Sequence, residues 1–359
     1  MKNTTFEISI NNMIRENWAP NRKLVVATFE ISPRCNFECI HCYLGTHRIE
    51  NELNFDEIKF ILDQLYHAGV FLLTLTGGEI LLRKDFPDIY IYAKKLGMLI
   101  TLYTNGSLIN ESIIELFKKY PPLLIDISIY GGSNETYFEL TKRKKMFDIV
   151  YQNLILLKNA NQNIAIKMPI LKCNVKDVFK CKKLTEELGI PFRFSFELDP
   201  TIDREDTTHL MLSVDEMIQV ELNLNDIANY ETDYRHIKSI LDKVKQSEQP
   251  IPAHLCSIGE YHCFVDYLGN MSPCVSYRHK SISLFANSID SIWEEFAKYK
   301  NIYATNSYKC VNCSYYSFCK SCPGVRDLMY GDCQIVPPRE CAYAIKRFKL
   351  LDKFLKGGV

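Results

Sequence analysis

A chain of 359 residues with 47% apolar and 24% charged side chains can bury a sizeable core, and its 43 basic and 43 acidic groups cancel. That balance excludes a global field suited to nucleic acid or an anionic membrane, and the polar start MKNTTFEISINNMIREN lacks the apolar stretch of a secretory signal. With no apolar run long enough to span a bilayer, the sequence predicts a cytoplasmic protein.

After an N-terminal segment (1–23), residues 24–200 alternate between apolar runs and amphipathic segments. LVVATFEI (24–31), VFLLTLT (70–76), MLITLYT (98–104), LLIDISI (123–129), NIAIKMPIL (163–171) and FRFSFEL (192–198) read as strands. Their near-continuous hydrophobicity fits parallel strands covered on both faces. Between them, Ile58, Ile61, Leu62 and Leu65 recur at helical spacing with Asn54 placed as the cap, and similar helices are predicted over 85–96, 110–119, 147–160 and 175–188. This alternation predicts right-handed βα units around a parallel sheet, either a partial barrel or an open doubly wound sheet. Residues 201–250 read as a helical linker, with helices at 213–226 and 232–246, ended by the Gln249-Pro250-Ile251-Pro252 stretch. The last part, 251–359, is Cys-rich, with short strands near 261–274 and helices near 288–299 and 340–355.

Cysteine is the anomaly. Of fourteen, eleven cluster: three at 35–42, and eight at 256–274, 310–322 and 341. In a long chain without a signal, clustered cysteines read as metal ligands before disulfides. Strand one ends in ISPRCNFECIHCYLG, with Cys35, Cys39 and Cys42 on one loop at the C-terminal end of a strand, where parallel α/β folds place their sites. Three thiolates can hold three irons of a cubane and leave the fourth open to a ligand. The alternative is a zinc site completed by His41 or His47. Thr76-Gly77-Gly78-Glu79, Thr104-Asn105-Gly106 and Ser128 then stand at the ends of strands two, three and four.

These motifs, in this order, resemble the radical S-adenosylmethionine (AdoMet) enzymes. The resemblance covers residues 24–200 and implies a partial (β/α)6 barrel with a 4Fe–4S cluster on Cys35, Cys39 and Cys42. It also implies an AdoMet site at Thr76, Gly77, Gly78, Glu79, Asn105 and Ser128. Glu79 would receive the α-amino group, and Arg143 of the LTKRKKMFD segment, or Lys142 beside it, the methionine carboxylate.

The later cysteines, Cys256-x6-Cys263, Gly269-x4-Cys274, Cys310-x2-Cys313-x5-Cys319-x2-Cys322 and Cys341, resemble the SPASM extension of the same family. By that resemblance Cys256, Cys263, Cys274 and Cys322 hold one auxiliary 4Fe–4S cluster, and Cys310, Cys313, Cys319 and Cys341 a second. Cys333 is the alternative to Cys341. The gap between Cys319 and Cys322 is one residue shorter than the family's. A zinc knuckle at 310–322 is the competing reading. Of the remaining cysteines, Cys181 reads as a small buried hydrophobe. Cys173 follows strand five, on the rim expected to face the site, where in an epimerase it would serve as a hydrogen-atom donor.

The resemblance implies an anaerobic enzyme that generates a 5′-deoxyadenosyl radical and takes electrons from a flavodoxin or ferredoxin. Its substrate is expected to be a ribosomally made precursor peptide, crosslinked through a thioether or carbon–carbon bond. The short segment before strand one points to a separate leader-binding protein. Val275 stands where sulfatase-maturing relatives carry an Asp, which argues against that activity. The alternatives are a peptide epimerase, a radical dehydrogenase of a small alcohol or aminocyclitol, and an iron–sulfur electron carrier without turnover. An electron carrier needs no nucleoside pocket.

Overall fold

All six apolar runs form strands: β1 (Val26–Ser32), β2 (Leu72–Gly77), β3 (Leu99–Thr104), β4 (Leu124–Ser128), β5 (Ile164–Pro169) and β6 (Phe192–Ser195). The computed structural model describes residues 12–45, 52–224, 252–254, 256–305, 307–319 and 321–355. The strands lie in the order β6-β5-β4-β3-β2-β1, each pair parallel and consecutive in sequence. A doubly wound sheet reverses its strand order at a switch point, whereas this one never does. The winding is that of a partial (β/α)6 barrel, open beyond β6.

Five of the connecting helices follow the periodicity: α1 (Phe55–His67), α2 (Phe86–Lys95), α3 (Glu111–Lys119), α5 (Met146–Asn159) and α6 (Val178–Leu188). In α1, Asn54 accepts from the Glu57 amide while Glu57 reaches back to the Asn54 amide, a reciprocal cap. The helix buries Ile58, Ile61, Leu62 and Leu65 completely. At about 1.5–3 kcal/mol for each fully buried aliphatic side chain, that face and not propensity holds the helix on the sheet. A sixth helix, α4 (Asn134–Thr141), was not expected from the sequence. It is two turns long and starts where Ser133 accepts from the Thr136 amide.

The compact units divide the chain elsewhere than composition does. The first holds residues 1–210 with 257–297, the second 211–256 with 298–359. In the first, β7 (His262–Val265) pairs parallel to β1 on the edge away from β2, followed by β8 (Asn270–Ser272) and β9 (Ile282–Ser283) in antiparallel steps. Helix α8 (Ile289–Phe296) follows them. The second unit holds α7 (Val214–Asn223), α9 (Pro323–Tyr330) and α10 (Pro338–Leu355). There Tyr343 of α10 donates to Glu221 of α7, and Arg347 donates to the Phe318 carbonyl at 3.0 Å. The expected helix at 232–246 lies outside the described residues. Among the described residues no helix is long and apolar enough to cross a membrane.

Candidate active site

The cysteine loop is held by backbone on both sides. On one side the Gly78 amide donates to the Ser32 carbonyl at 2.8 Å and the Glu79 amide to the Arg34 carbonyl at 2.7 Å. Only glycine permits this approach. A Cβ on Gly77 would stand 2.2 Å from the Ser32 oxygen, and one on Gly78 2.3 Å from the Arg34 oxygen. On the other side the Glu38 and Ile40 amides donate to the Thr141 and Leu140 carbonyls, each at 3.0 Å. Cys39 sits between those two bonds. The end of β1 is fixed from below by the buried Arg83, whose Nη1 donates to the Ile31 and Leu53 carbonyls at 2.9 and 3.0 Å.

Cys35, Cys39 and Cys42 all open into one cavity of about 270 Å³ at the C-terminal ends of the strands. Thr76, Gly77, Gly78, Asn105 and Ser128 line the same cavity, so the structure brings together most of the residues read from sequence. The Phe37 amide points at the Cys35 sulfur at 3.3 Å, and Asn105 Nδ2 approaches it at 3.8 Å. Tyr130 hydrogen-bonds the Cys39 sulfur. Burial pushes the Cys35 thiol up to about 12 and raises Cys39 and Cys42 as well. Free thiolates are therefore disfavoured there, and a bound cation is what would offset that cost. This donor set, three thiols with N–H and O–H groups aimed at sulfur, fits an iron–sulfur cubane. His41 is half-buried with its Nδ1 out of solvent, and desolvation lowers it to about 4. Among the described residues no three His, Cys, Asp or Glu converge on a single ion, which a cubane with ligands at separate corners does not require.

Three expected site residues lie outside the cavity lining. Glu79 is fully buried and accepts from its own chain: the Leu81 amide at 3.0 Å, the Asn105 amide at 2.7 Å and the Thr104 hydroxyl at 2.8 Å. Its carboxylate ties the end of β3 to the end of β2. Burial raises its pKa, and these three donors oppose the rise. Glu79→Gln would turn an NH2 toward one of those donors and is expected to cost about 1–3 kcal/mol in thermal or urea unfolding, with AdoMet affinity falling in parallel. An unchanged unfolding midpoint would contradict this role.

Arg143 is half-exposed and donates to Glu38 at 2.6 Å. The left-handed turn at Lys142 (φ 58°) carries it past the end of α4 and onto the outer surface. Cys173 has Glu139, Lys142 and Lys176 as its charged neighbours. Asn174 turns the chain there, bonding the Leu171 amide at 2.7 Å and the Pro169 carbonyl at 2.8 Å, so Cys173 faces α4. Cys173→Ala is expected to leave turnover within twofold of wild type.

The other half of the lining was missed: Tyr103, Asp126, Tyr130, Lys167, Glu197 and Asp199. Asp126 is buried, Arg193 donates to its Oδ2 at 2.7 Å, and its Oδ1 has no partner among the described residues. The signal was available. Asp126 and Lys167 are ionisable residues inside apolar strand runs, two positions before Ser128 and Pro169 on the same strand face.

Residues 29–179 match the model of the radical SAM superfamily. That segment is a radical SAM domain. At 25% identity over 315 residues, 82% of this chain and 89% of the relative, the chain is similar to an AdoMet-dependent heme synthase of Methanosarcina barkeri (strain Fusaro / DSM 804). At 24% identity over 278 residues, 74% of this chain and 59% of the relative, it is similar to the antilisterial bacteriocin subtilosin biosynthesis protein AlbA of Bacillus subtilis (strain 168). Native anSMEcpe with bound AdoMet and Kp18Cys peptide shares the fold, with a TM-score of 0.69 at 16% identity over 92% of this chain and 97% of that one.

Beyond the radical SAM core, the remaining cysteines fall in both compact units. Cys263 on β7 and Cys274 after β8 belong to the first, and Cys256, Cys310, Cys313, Cys319, Cys322, Cys333 and Cys341 to the second. Within the second, Cys310, Cys313 and Glu340 raise Cys341 after burial, and Glu340, Cys310 and Cys341 act on Cys319. Cys333 is buried in the small core of Ala253, Tyr308 and Cys310, and no cysteine is among its charged neighbours. Cys181 is buried on α6, as a small hydrophobe would be.

Proposed function

We propose that this radical SAM enzyme modifies a ribosomally made peptide, closing a thioether or carbon–carbon crosslink, and that it carries three 4Fe–4S clusters. Cys35, Cys39 and Cys42 hold the first, Cys256, Cys263, Cys274 and Cys322 the second, and Cys310, Cys313, Cys319 and Cys341 the third. The neighbourhood of Cys341 supports its place in the last set ahead of Cys333. Bound by Cys35, Cys39 and Cys42, a 4Fe–4S cluster would supply the one electron that reductive cleavage of AdoMet requires. The residues of this chain bind and orient. Asn105 and Ser128 offer polar groups at the strand ends, Gly77 and Gly78 clear space beside the loop, and Lys167, the one ammonium in the lining among the described residues, is placed for the methionine carboxylate.

The observation that carries the peptide reading is the charge of the remaining wall. Asp126, Glu197 and Asp199 line the cavity with Lys167, while Arg193 pairs with Asp126 at 2.7 Å and Arg278 acts on Asp199 from outside the lining. Carboxylates accept hydrogen bonds from amide N–H groups and cationic side chains, and repel a substrate rich in carboxylates. The second reading, a tetrapyrrole substrate, draws on the heme synthase relative, and a tetrapyrrole's acid side chains would meet this wall. An epimerase reading loses the rim thiol it relied on, since Cys173 faces α4.

The test is co-expression with a short precursor encoded beside the gene, followed by weighing the product. A loss of two hydrogens per modified site is the expected result. An unaltered peptide, with iron coproporphyrin III instead stimulating 5′-deoxyadenosine release, would overturn the reading. Asp126→Asn is expected to weaken peptide binding about tenfold or more, since a hydrogen bond to a charged group contributes about 1.5–3 kcal/mol, while AdoMet cleavage without peptide persists.

A further inference from the structure

The run Lys142-Arg143-Lys144-Lys145 is left over by the active site. All four side chains are exposed. The backbone there is unfavourable for lysine: Lys142 and Lys145 both adopt left-handed conformations, φ 58° and 61°, which glycine or asparagine occupies more readily. Lys145 is also the N-cap of α5, makes no capping hydrogen bond, and sets a positive charge against the positive end of the helix dipole. Lys142 caps the end of α4 and donates to the Glu139 carbonyl at 2.9 Å, whereas Lys145 has no such local support.

Their position is specific. The run begins one residue beyond the Leu140 and Thr141 carbonyls that hold the amides on either side of Cys39. Arg143 reaches Glu38, the residue before Cys39, at 2.6 Å. Ile40, the residue after it, is exposed, as is Phe138, with the Lys144 ammonium 5.9 Å from the Phe138 ring centre. Lys176 of the neighbouring turn comes within 3.5 Å of Glu139. Lys142, Lys144 and Lys145 have no carboxylate within ion-pair distance among the described residues. The outer face of the cysteine loop is thus a small apolar patch bordered by positive charge, of which Lys142, Lys144 and Lys145 carry no ion pair among the described residues.

We propose that this face is where the electron enters: the docking surface for a small acidic protein carrying a one-electron flavin or iron–sulfur group. The proposal rests on the assignment of the first cluster to Cys35, Cys39 and Cys42. Reductive cleavage of AdoMet consumes one electron per event, and that electron comes from outside the chain. The carrier is oxidised by one electron and the cluster reduced by one, with no bond made and no proton moved. The cavity side of the loop is taken by AdoMet and substrate, so a carrier approaches Cys39 from the outer side, where the lysines stand. Complementary charge speeds that encounter and orients it.

The test uses the reconstituted holoenzyme and a bacterial flavodoxin containing FMN as the probe. The variant is Lys142→Glu with Lys144→Glu and Lys145→Glu, and the same three positions changed to Gln form a milder set. In a binding titration at low salt, the Glu set is expected to bind flavodoxin at least about tenfold more weakly than wild type, with the Gln set between them. Wild-type affinity should fall as salt rises. 5′-Deoxyadenosine formation driven by reduced flavodoxin should drop by a similar factor, while formation driven by dithionite is retained. If the Glu set loses the dithionite-driven reaction through damage, the Gln set decides. Wild-type affinity in the Glu set would overturn the proposal, as would an equal loss on reversing Lys95, Lys118 and Lys119, which are exposed on α2 and α3. A wild-type enzyme that binds flavodoxin but cleaves no AdoMet even with dithionite would instead refute the cluster assignment.

Discussion

Replacing Cys35, Cys39 and Cys42 together with Ala is expected to lower the iron of anaerobically reconstituted protein from about twelve to about eight per chain and to leave no AdoMet cleavage. The chain should stay folded, because the loop is held by backbone bonds that do not involve sulfur: Gly78 and Glu79 on one side, Thr141 and Leu140 on the other. Removing the thiols also removes buried groups whose ionised form is disfavoured, Cys35 being pushed up to about 12, so the metal-free protein gains no new unsatisfied charge. Iron quantitation together with the thermal midpoint checks both halves. Iron content equal to wild type would mean that these cysteines hold no cluster. Stoichiometric zinc in the wild type would refute the auxiliary assignment.

Gly78→Ala is expected to be among the most damaging single substitutions outside the cysteines. Its Cβ would meet the Arg34 oxygen at 2.3 Å, the Arg34 carbonyl carbon at 2.6 Å and the Pro33 oxygen at 2.7 Å. All three are backbone atoms and cannot swing away as a side chain can. Relief requires β2 to part from the cysteine loop, breaking the bonds from Gly78 and Glu79. Overpacking of this kind costs about 1–3 kcal/mol, and each lost hydrogen bond adds about 1 kcal/mol. The thermal midpoint should fall by several degrees and iron at the first site should be retained poorly. Gly97→Ala is the control, since a Cβ there meets nothing within 4 Å and only its positive φ opposes the change. Equal midpoints for the two variants would mean that the close approach of β2 to the loop is not a constraint.

Much of this was legible in the sequence because its causes are local. Strands buried on both faces write themselves as apolar runs, and the cap of α1 is visible as Asn54 followed by Glu57. The site residues stood at strand ends, and the fold gathers strand ends by construction. What stayed hidden is non-local. Nothing in HCFV says that β7 pairs with the free edge of β1, a contact between residues more than 230 positions apart in which Ala27 faces Cys263. The motif made Glu79 conspicuous without showing that its carboxylate also holds Thr104, Asn105 and Leu81. Arg143 was chosen by charge and position in a run, while Lys167, one of the charged residues within an apolar strand, is the cation that faces the cavity. A charge inside a buried strand was the better guide.

The most direct test of the account is to add AdoMet to the anaerobically reconstituted enzyme, reduce it with dithionite, and measure 5′-deoxyadenosine and methionine by chromatography and mass. The cavity of Cys35, Cys39, Cys42, Gly78, Asn105 and Ser128 requires that both appear in equal amounts even without substrate, and that neither forms before reduction. Intact AdoMet after full reduction, in protein shown to carry its iron, would contradict the account.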